Sequence, residues 1–264
     1  METAGYAAAL LMGILLGMIG GGGSILTVPI FVYLFGIQPL TATVFSLFVV
    51  GITSLVGSIS HFRKGNVNLR AAVVFGIPSV AGVLGVRRFI LPLIPDPVFQ
   101  AENYVMTKGT AILMLFACLM LVASWSMISN RRHTGEQSTL PFRTGLILLE
   151  GLVVGGITGL VGAGGGFLII PALVILAGLP MKQAVGTSLV IITLKSLIGF
   201  IGEPHGDWST DLEFLIRFSL FAIAGIIAGS NLTRIVDNRK LKPIFGWFVL
   251  VTGVAILLKE LLTA

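Results

Sequence analysis

Two glycine runs stand inside long apolar stretches of this 264-residue chain: Gly20-Gly21-Gly22-Gly23 ahead of Ser24, and Gly162-Ala163-Gly164-Gly165-Gly166. Glycine costs about 1 kcal/mol per residue in a helix relative to alanine, so each run is a strong helix break. A short helix is expected to start after each, at Ser24 and at Gly166. A helix N-terminus presents unpaired N–H groups and about half a unit of positive charge, and glycine lets an anion approach the backbone closely. Two such ends facing one cavity can hold a small oxyanion without a full compensating charge. The candidate binding residues are Gly21, Gly22, Gly23 and Ser24 at the first break, and Gly164, Gly165 and Gly166 at the second. The plainer reading makes these glycines contact points for tightly crossing helices, but there small residues are spaced by four rather than consecutive.

Lys195 is the second outlier. It lies deep in the apolar stretch 182–202, thirteen residues from Lys182 and eight from Glu203. A lysine at such depth costs about 2.5–3.5 kcal/mol to insert and is a functional residue by default. It can act as counter-charge to an anion, carry a proton, or pair with a buried carboxylate, for which Glu150 is the candidate. Ser46, Thr187 and Ser188 offer hydroxyls that either donate to a ligand or bond their own helix carbonyls. His61 reads as an interfacial residue. Glu203, His205 and Asp207 suggest a metal site or an outer gate, but in a short hydrophilic loop they are expected to be solvated. Glu150 is expected to reach the cytoplasmic surface. Cys118, Met114, Met120 and Met127 read as helix packing. One cysteine allows neither an internal disulfide nor a multi-cysteine metal site, and no cofactor site is expected.

These residues need elements to hold them, and the composition names the solvent. The chain is 55% hydrophobic and 11% charged, with a net charge of +6, and its mean hydropathy is +1.02. Soluble domains carry about 25% charge. From Thr3 to Phe62 there is no Asp, Glu, Lys or Arg, enough chain for about three crossings at ~20 residues each. The reading is an all-α integral membrane protein, multi-pass in the cell membrane. Its N-terminus lacks a signal-peptide n-region, so the first apolar run is expected to be retained. The basic residues fall in short clusters rather than one continuous stripe, which argues against a nucleic-acid partner. Ten segments are expected, near 6–19, 24–36, 40–60, 70–90, 109–129, 145–161, 166–178, 182–202, 213–233 and 243–262. Two pairs flank the glycine runs and contain short members; thirteen helical residues rise only about 20 Å. Backbone freed at such breaks must be buried in protein or line a wet cavity, so two re-entrant or broken hairpins are expected.

Loop charge orients the segments. Arg63, Lys64 and Arg70 lie in one loop, Arg131, Arg132 and Arg143 against Glu136 in a second, and Arg234, Arg239, Lys240 and Lys242 against Asp237 in a third. Residues 203–213 carry Glu203, Asp207, Asp211 and Glu213 with no Lys or Arg. Basic loops inside and the acidic loop outside give a consistent count, with both termini outside. Arg87 and Arg88, on the outer side, run against the rule.

At an offset of 142, residues 17–59 align with 159–201 without a gap and match at 16 of 43 positions. Matches include Gly20/Gly162, Pro29/Pro171, Gly36/Gly178, Ser46/Ser188, Ser54/Ser196 and Gly57/Gly199. Residues 1–130 form the first repeat, 131–143 a cytoplasmic linker and 144–264 the second repeat. Five segments per half, an odd number, place the second copy upside down. Inverted repeats with discontinuous helices mark secondary transporters, whose site lies near the midplane between them.

The stretches Gly20 to Pro29 (GGGGSILTVP) and Gly162 to Pro171 (GAGGGFLIIP), the run from Ser60 to Val67 and Gly186-Thr187-Ser188-Leu189 resemble the TauE/SafE family of membrane permeases. The resemblance covers nearly the whole chain. It implies movement of sulfite, sulfoacetate and related sulfur-containing anions, typically outward. The first copy departs from the second in having Phe45 where the second has Thr187, so the halves of the site are expected to differ in polarity.

The reading is therefore a secondary transporter, an exporter of small sulfur-containing anions such as sulfite or organosulfonates, working by alternating access. Its partners are the small anionic substrate and the lipid bilayer. Proton coupling and oligomeric state stay open. An anion channel needs the same polar breaks and is the alternative. An intramembrane enzyme is disfavoured: His61, His133 and His205 all fall in loops, and no nucleophile or metal constellation recurs within the spans. The chain has no phosphate-binding loop of the P-loop type to support direct ATP drive.

Overall fold

In a computed structural model, residues 2–101, 104–129, 144–203, 211–232 and 238–263 are described. Ten helical segments follow the ten apolar runs: α1 (Glu2–Ile19), α2 (Gly21–Leu34), α3 (Pro39–Arg63), α4 (Leu69–Leu93), α5 (Lys108–Ser129), α6 (Thr144–Val161), α7 (Gly166–Ile175), α8 (Met181–Ile201), α9 (Leu212–Leu232) and α10 (Asn238–Thr263). Seven of them, α3 to α6 and α8 to α10, contain runs long and apolar enough to cross a membrane. The chain is an all-α integral membrane protein, with one small addition. After α4 a two-stranded antiparallel hairpin, β1 (Phe99–Ala101) and β2 (Tyr104–Met106), precedes α5. Pro92, Pro95 and Pro97 explain why helix does not simply continue there. The expected linker 131–143, with Arg131, Arg132, His133, Glu136 and Arg143, lies outside the described residues, as do His205, Asp207, Arg234 and Asp237.

The helices pack reciprocally between the halves. The first helix of each half lies against the fourth of the other, α1 on α9 and α4 on α6, while α3 packs on α8 and α5 on α10. Small residues let the first-to-fourth pairs come close, as membrane helices require when burial of apolar surface supplies little drive. A Cβ on Gly13 would lie 2.1 Å from the Ala222 carbonyl oxygen, and one on Gly155, its counterpart at the 142-residue offset, 2.1 Å from the Ser79 carbonyl oxygen. Outward-facing Leu149, Val153, Leu220, Ile227, Trp247 and Val251 are exposed, as a lipid-facing surface is.

Both glycine runs turn the chain back. Gly20 and Gly162 have φ of 75° and 71°, and Gly36 and Gly178, which close the returning helices, 67° and 63°. The bonds around those closures recur at the same offset: Ile37 N–H donates to Phe31 O at 3.0 Å and Leu179 N–H to Leu173 O at 3.1 Å. In the first hairpin Gly23 lies against Met12 and Leu16, and Gly5 against the Phe35 ring, so α2 runs back along α1 to its starting end. There α3 begins, and it finishes at the 64–68 loop, where Asn66 abuts Gly186 near the start of α8. The second hairpin feeds α8 at that opposite end. The two hairpins therefore reach toward each other from opposite ends of the bundle.

One expectation needs correcting. The helix after the first break starts not at Ser24 but at Gly21, as a tight 3-10 turn over Gly21–Leu26 capped by Gly20. Only Gly20 is spent on the reversal, whereas the second break keeps 162–165 out of helix before α7 begins at Gly166, as expected. Ala163 in place of Gly21 is the sequence difference at that turn.

Candidate functional site

The hairpin tips touch through glycine. A Cβ on Gly166 would lie 1.9 Å from the Gly21 Cα, and a Cβ on Gly21 2.5 Å from the Ile192 Cδ1. A Cβ on Gly164 would lie 2.5 Å from the Val50 Cγ1 and 3.0 Å from the Ser24 Oγ. Val50 and Ile192 stand near the middles of α3 and α8, so the contact sits halfway along two membrane-spanning helices. Gly20 to Ser24 and Ala163 to Gly166 are all buried. An anion seated directly between the two tips, as the repeated breaks suggest, does not fit in this conformation: the α-carbons are already in contact.

Lys195 lies beside the second tip. It is 1% exposed, and its Nζ would be 2.9 Å from a Cβ on Gly165, the residue that caps α7 with φ 67°. Its Nζ donates to Thr158 Oγ1 at 2.5 Å. That hydroxyl donates in turn to Val154 O at 2.7 Å, so its lone pairs are free to accept. Glu150 is not the partner. Among the described residues no carboxylate forms an ion pair with Lys195, and the half-buried Glu150 keeps one oxygen, Oε2, buried without a hydrogen bond. A lysine amine, a hydroxyl and the N-terminus of α7 thus converge at Gly165.

The other predicted residues divide. Gly21, Ser24, Gly164, Gly165, Gly166 and Lys195 come together at the tips. Gly22 faces Ile19 and Phe245, and Gly23 packs on the backbone of α1, so both serve the hairpin rather than the meeting point. Ser24 donates to Gly21 O at 2.7 Å, and Ser188 to Val185 O at 2.8 Å, within their own helices. Thr187 accepts from the Asn68 backbone N–H at 2.9 Å, which ties α8 to the 64–68 loop well away from the tips. Ser46 is buried with no hydrogen-bond partner. Phe45, the counterpart of Thr187, belongs instead to an aromatic cluster with Phe31 and Phe214. Beside it a cavity of about 320 Å³ is lined by Phe35, Ile37, Gln38, Thr41, Phe45, Asp211 and Phe214.

Sequence reasoning passed over several residues. Ser54 and Ser196 are fully buried with unpartnered hydroxyls, one helical turn beyond Val50 and Ile192; their identity across the repeat was the available signal. Thr158 carried none. Glu203, read as solvated, is largely buried and pairs with Arg87 at 2.5 Å, and Arg87, read as an exception to the charge rule, is 1% exposed. Among the described residues no cluster of His, Cys, Asp or Glu could hold a metal ion.

Comparison with known proteins places this architecture. The model of the sulfite exporter TauE/SafE family matches residues 6–256. The chain is 28% identical over 260 residues to a probable membrane transporter protein of Xylella fastidiosa (strain 9a5c), covering 94% of this chain and 91% of the relative. It is 29% identical to the probable membrane transporter protein YdhB of Bacillus subtilis (strain 168), covering 88% and 90%, and 30% identical to the probable membrane transporter protein MJ0441 of Methanocaldococcus jannaschii, covering 88% and 85%. No solved structure matches the chain. The family is one of membrane transporters, not enzymes. The chain belongs to the TauE/SafE sulfite exporter family, as a multi-pass membrane transporter.

Proposed function

We propose that this transporter is a secondary carrier that exports small sulfur-containing oxyanions or organosulfonates by alternating access between inverted repeats, 1–130 and 144–264. The anion is held beside the hairpin tips by Lys195, Thr158 and the backbone of Gly164, Gly165 and Gly166, with Gly21 and Ser24 closing from the other tip. Ser54 and Ser196 supply hydroxyl donors; a buried hydroxyl without a partner costs about 1–3 kcal/mol, a cost that a ligand would remove. Gly22 and Gly23 act indirectly, by letting α2 lie on α1.

The observation that carries the reading is Lys195: a buried lysine amine, without an ion-pair partner among the described residues, against the N-terminus of a helix that begins level with the middles of α3 and α8. Apart from its Thr158 hydrogen bond, this is poor use of a charge in a structural core and a good site for an anion. Tips in contact favour a carrier over an open channel, since the contact must part for an anion to pass. With the basic 61–70 loop in the cytoplasm, outward movement of an uncoupled anion gains about 2.3 kcal/mol per charge at 100 mV.

The deciding experiment is flux of radiolabelled sulfite, thiosulfate, sulfoacetate and sulfate in proteoliposomes, with and without a pH gradient. Saturable flux accelerated by unlabelled anion on the far side is expected. Unsaturable flux without such acceleration would mean a channel, and no flux of any of the four would remove the substrate class.

A further inference from the structure

Lys195 is not the only cation beside the second break. Thr43 lies at its other end: a Cβ on Gly162 would be 2.4 Å from the Thr43 Cα, Cβ and carbonyl oxygen. Onto the Thr43 hydroxyl Arg87 donates from Nη2 at 3.0 Å, while its Nη1 meets Glu203 Oε2 at 2.5 Å. Arg87 is among the largest fully buried side chains, and its Nε has no hydrogen-bond partner. It projects from a π turn, Val86–Ile90, near the end of α4; such turns are rare and concentrate at functional sites. Glu203 follows the α8 cap, Gly202, just past the end of the helix, and keeps 11% of its side chain exposed. One partner is therefore locked in the interior and the other hangs at its edge.

A buried ion pair is a poor stabiliser, because desolvating each charge costs several kcal/mol that the attraction barely offsets. A guanidinium with a donor still unused is well shaped for an oxyanion, which it can grip with two parallel N–H groups. We infer that Arg87 is a second anion-binding residue, at the end of the bundle where α3 begins, and that the Glu203 carboxylate occupies it when no anion does. The anion then passes from Lys195, at Gly165, along the break to Arg87, at Gly162, displacing Glu203 toward solvent. This rests on the transport reading above and adds to it the exit-side contact.

The test is calorimetric titration of the detergent-purified full chain with sulfite and with thiosulfate, alongside proteoliposome flux of the same anions. Three variants are compared with the wild type: Glu203→Gln, the double Arg87→Gln with Glu203→Gln, and the charge swap Arg87→Glu with Glu203→Arg. Removing the competing carboxylate should tighten binding roughly tenfold in Glu203→Gln, and the double variant, which leaves no buried charge there, should lose that gain and more. The swap should recover the melting temperature but not the affinity. Wild-type affinity in Glu203→Gln and in the double variant, or full recovery of affinity by the swap, overturns the inference and leaves an ion pair only. Binding that follows the expected order in a protein without flux sinks the carrier reading alone. Absence of binding in both the wild type and Glu203→Gln sinks both.

Discussion

Gly21 and Gly166 face each other so closely that a methyl group on either would fall about 2 Å from the other's α-carbon. One belongs to the hairpin entering from the end where α3 begins, the other to the hairpin entering from the opposite end. Their contact is the tightest that the two tips make with each other. Replacing Gly166 with Ala should therefore hold the tips apart, costing about 1–3 kcal/mol of stability as overpacking does, and abolish flux. Gly22→Ala meets only side chains, Ile19 at 3.2 Å and Phe245 at 3.5 Å, and should retain flux. Thermal unfolding in detergent with proteoliposome flux checks the pair; equal behaviour of the two variants would detach function from the tip contact.

Lys195→Met should raise the half-saturating concentration for sulfite at least about tenfold without lowering the melting temperature, because a buried charge is removed and apolar volume kept. Thr158→Val should give a smaller increase, since it removes the group that orients the ammonium and leaves the charge. Concentration dependence of flux measures both. An unaltered half-saturation in Lys195→Met would return the lysine to a packing role.

Ser54→Ala and Ser196→Ala each delete a buried hydroxyl that has no partner. Elsewhere in a core, losing an unsatisfied group is neutral or stabilising by up to about 1 kcal/mol. Both variants should melt no lower than the wild type and yet transport with weaker apparent affinity. Unchanged affinity would mean that these hydroxyls serve no ligand.

Orientation has its own check. In a Cys118→Ser background, Lys64→Cys reports on the loop after α3 and Gln100→Cys on the β hairpin before α5; both residues are exposed and lie at opposite ends of the bundle. An impermeant maleimide added to intact cells should label Gln100→Cys and leave Lys64→Cys unreacted until the membrane is opened. The reverse pattern would invert the proposed direction of export.

The membrane setting, the ten segments and the two breaks were legible without coordinates. They follow from local quantities: apolar length, the helix cost of glycine and the spacing of charge. At the 142-residue offset the bond from Ile37 to Phe31 recurs as one from Leu179 to Leu173, where glycine with positive φ, Gly36 and Gly178, precedes each donor. The tertiary structure decided what those quantities do not encode, namely which side chains come to face one another. It paired Arg87 with Glu203 across 116 residues of chain, gave Lys195 a hydroxyl partner in place of Glu150, and sent Thr187 to the 64–68 loop. It also brought the two tips into contact and started one helix three residues early. Sequence spacing governs neighbours along a helix; partners across helices are set by how small residues let the backbones approach, and that is a property of the packed bundle alone.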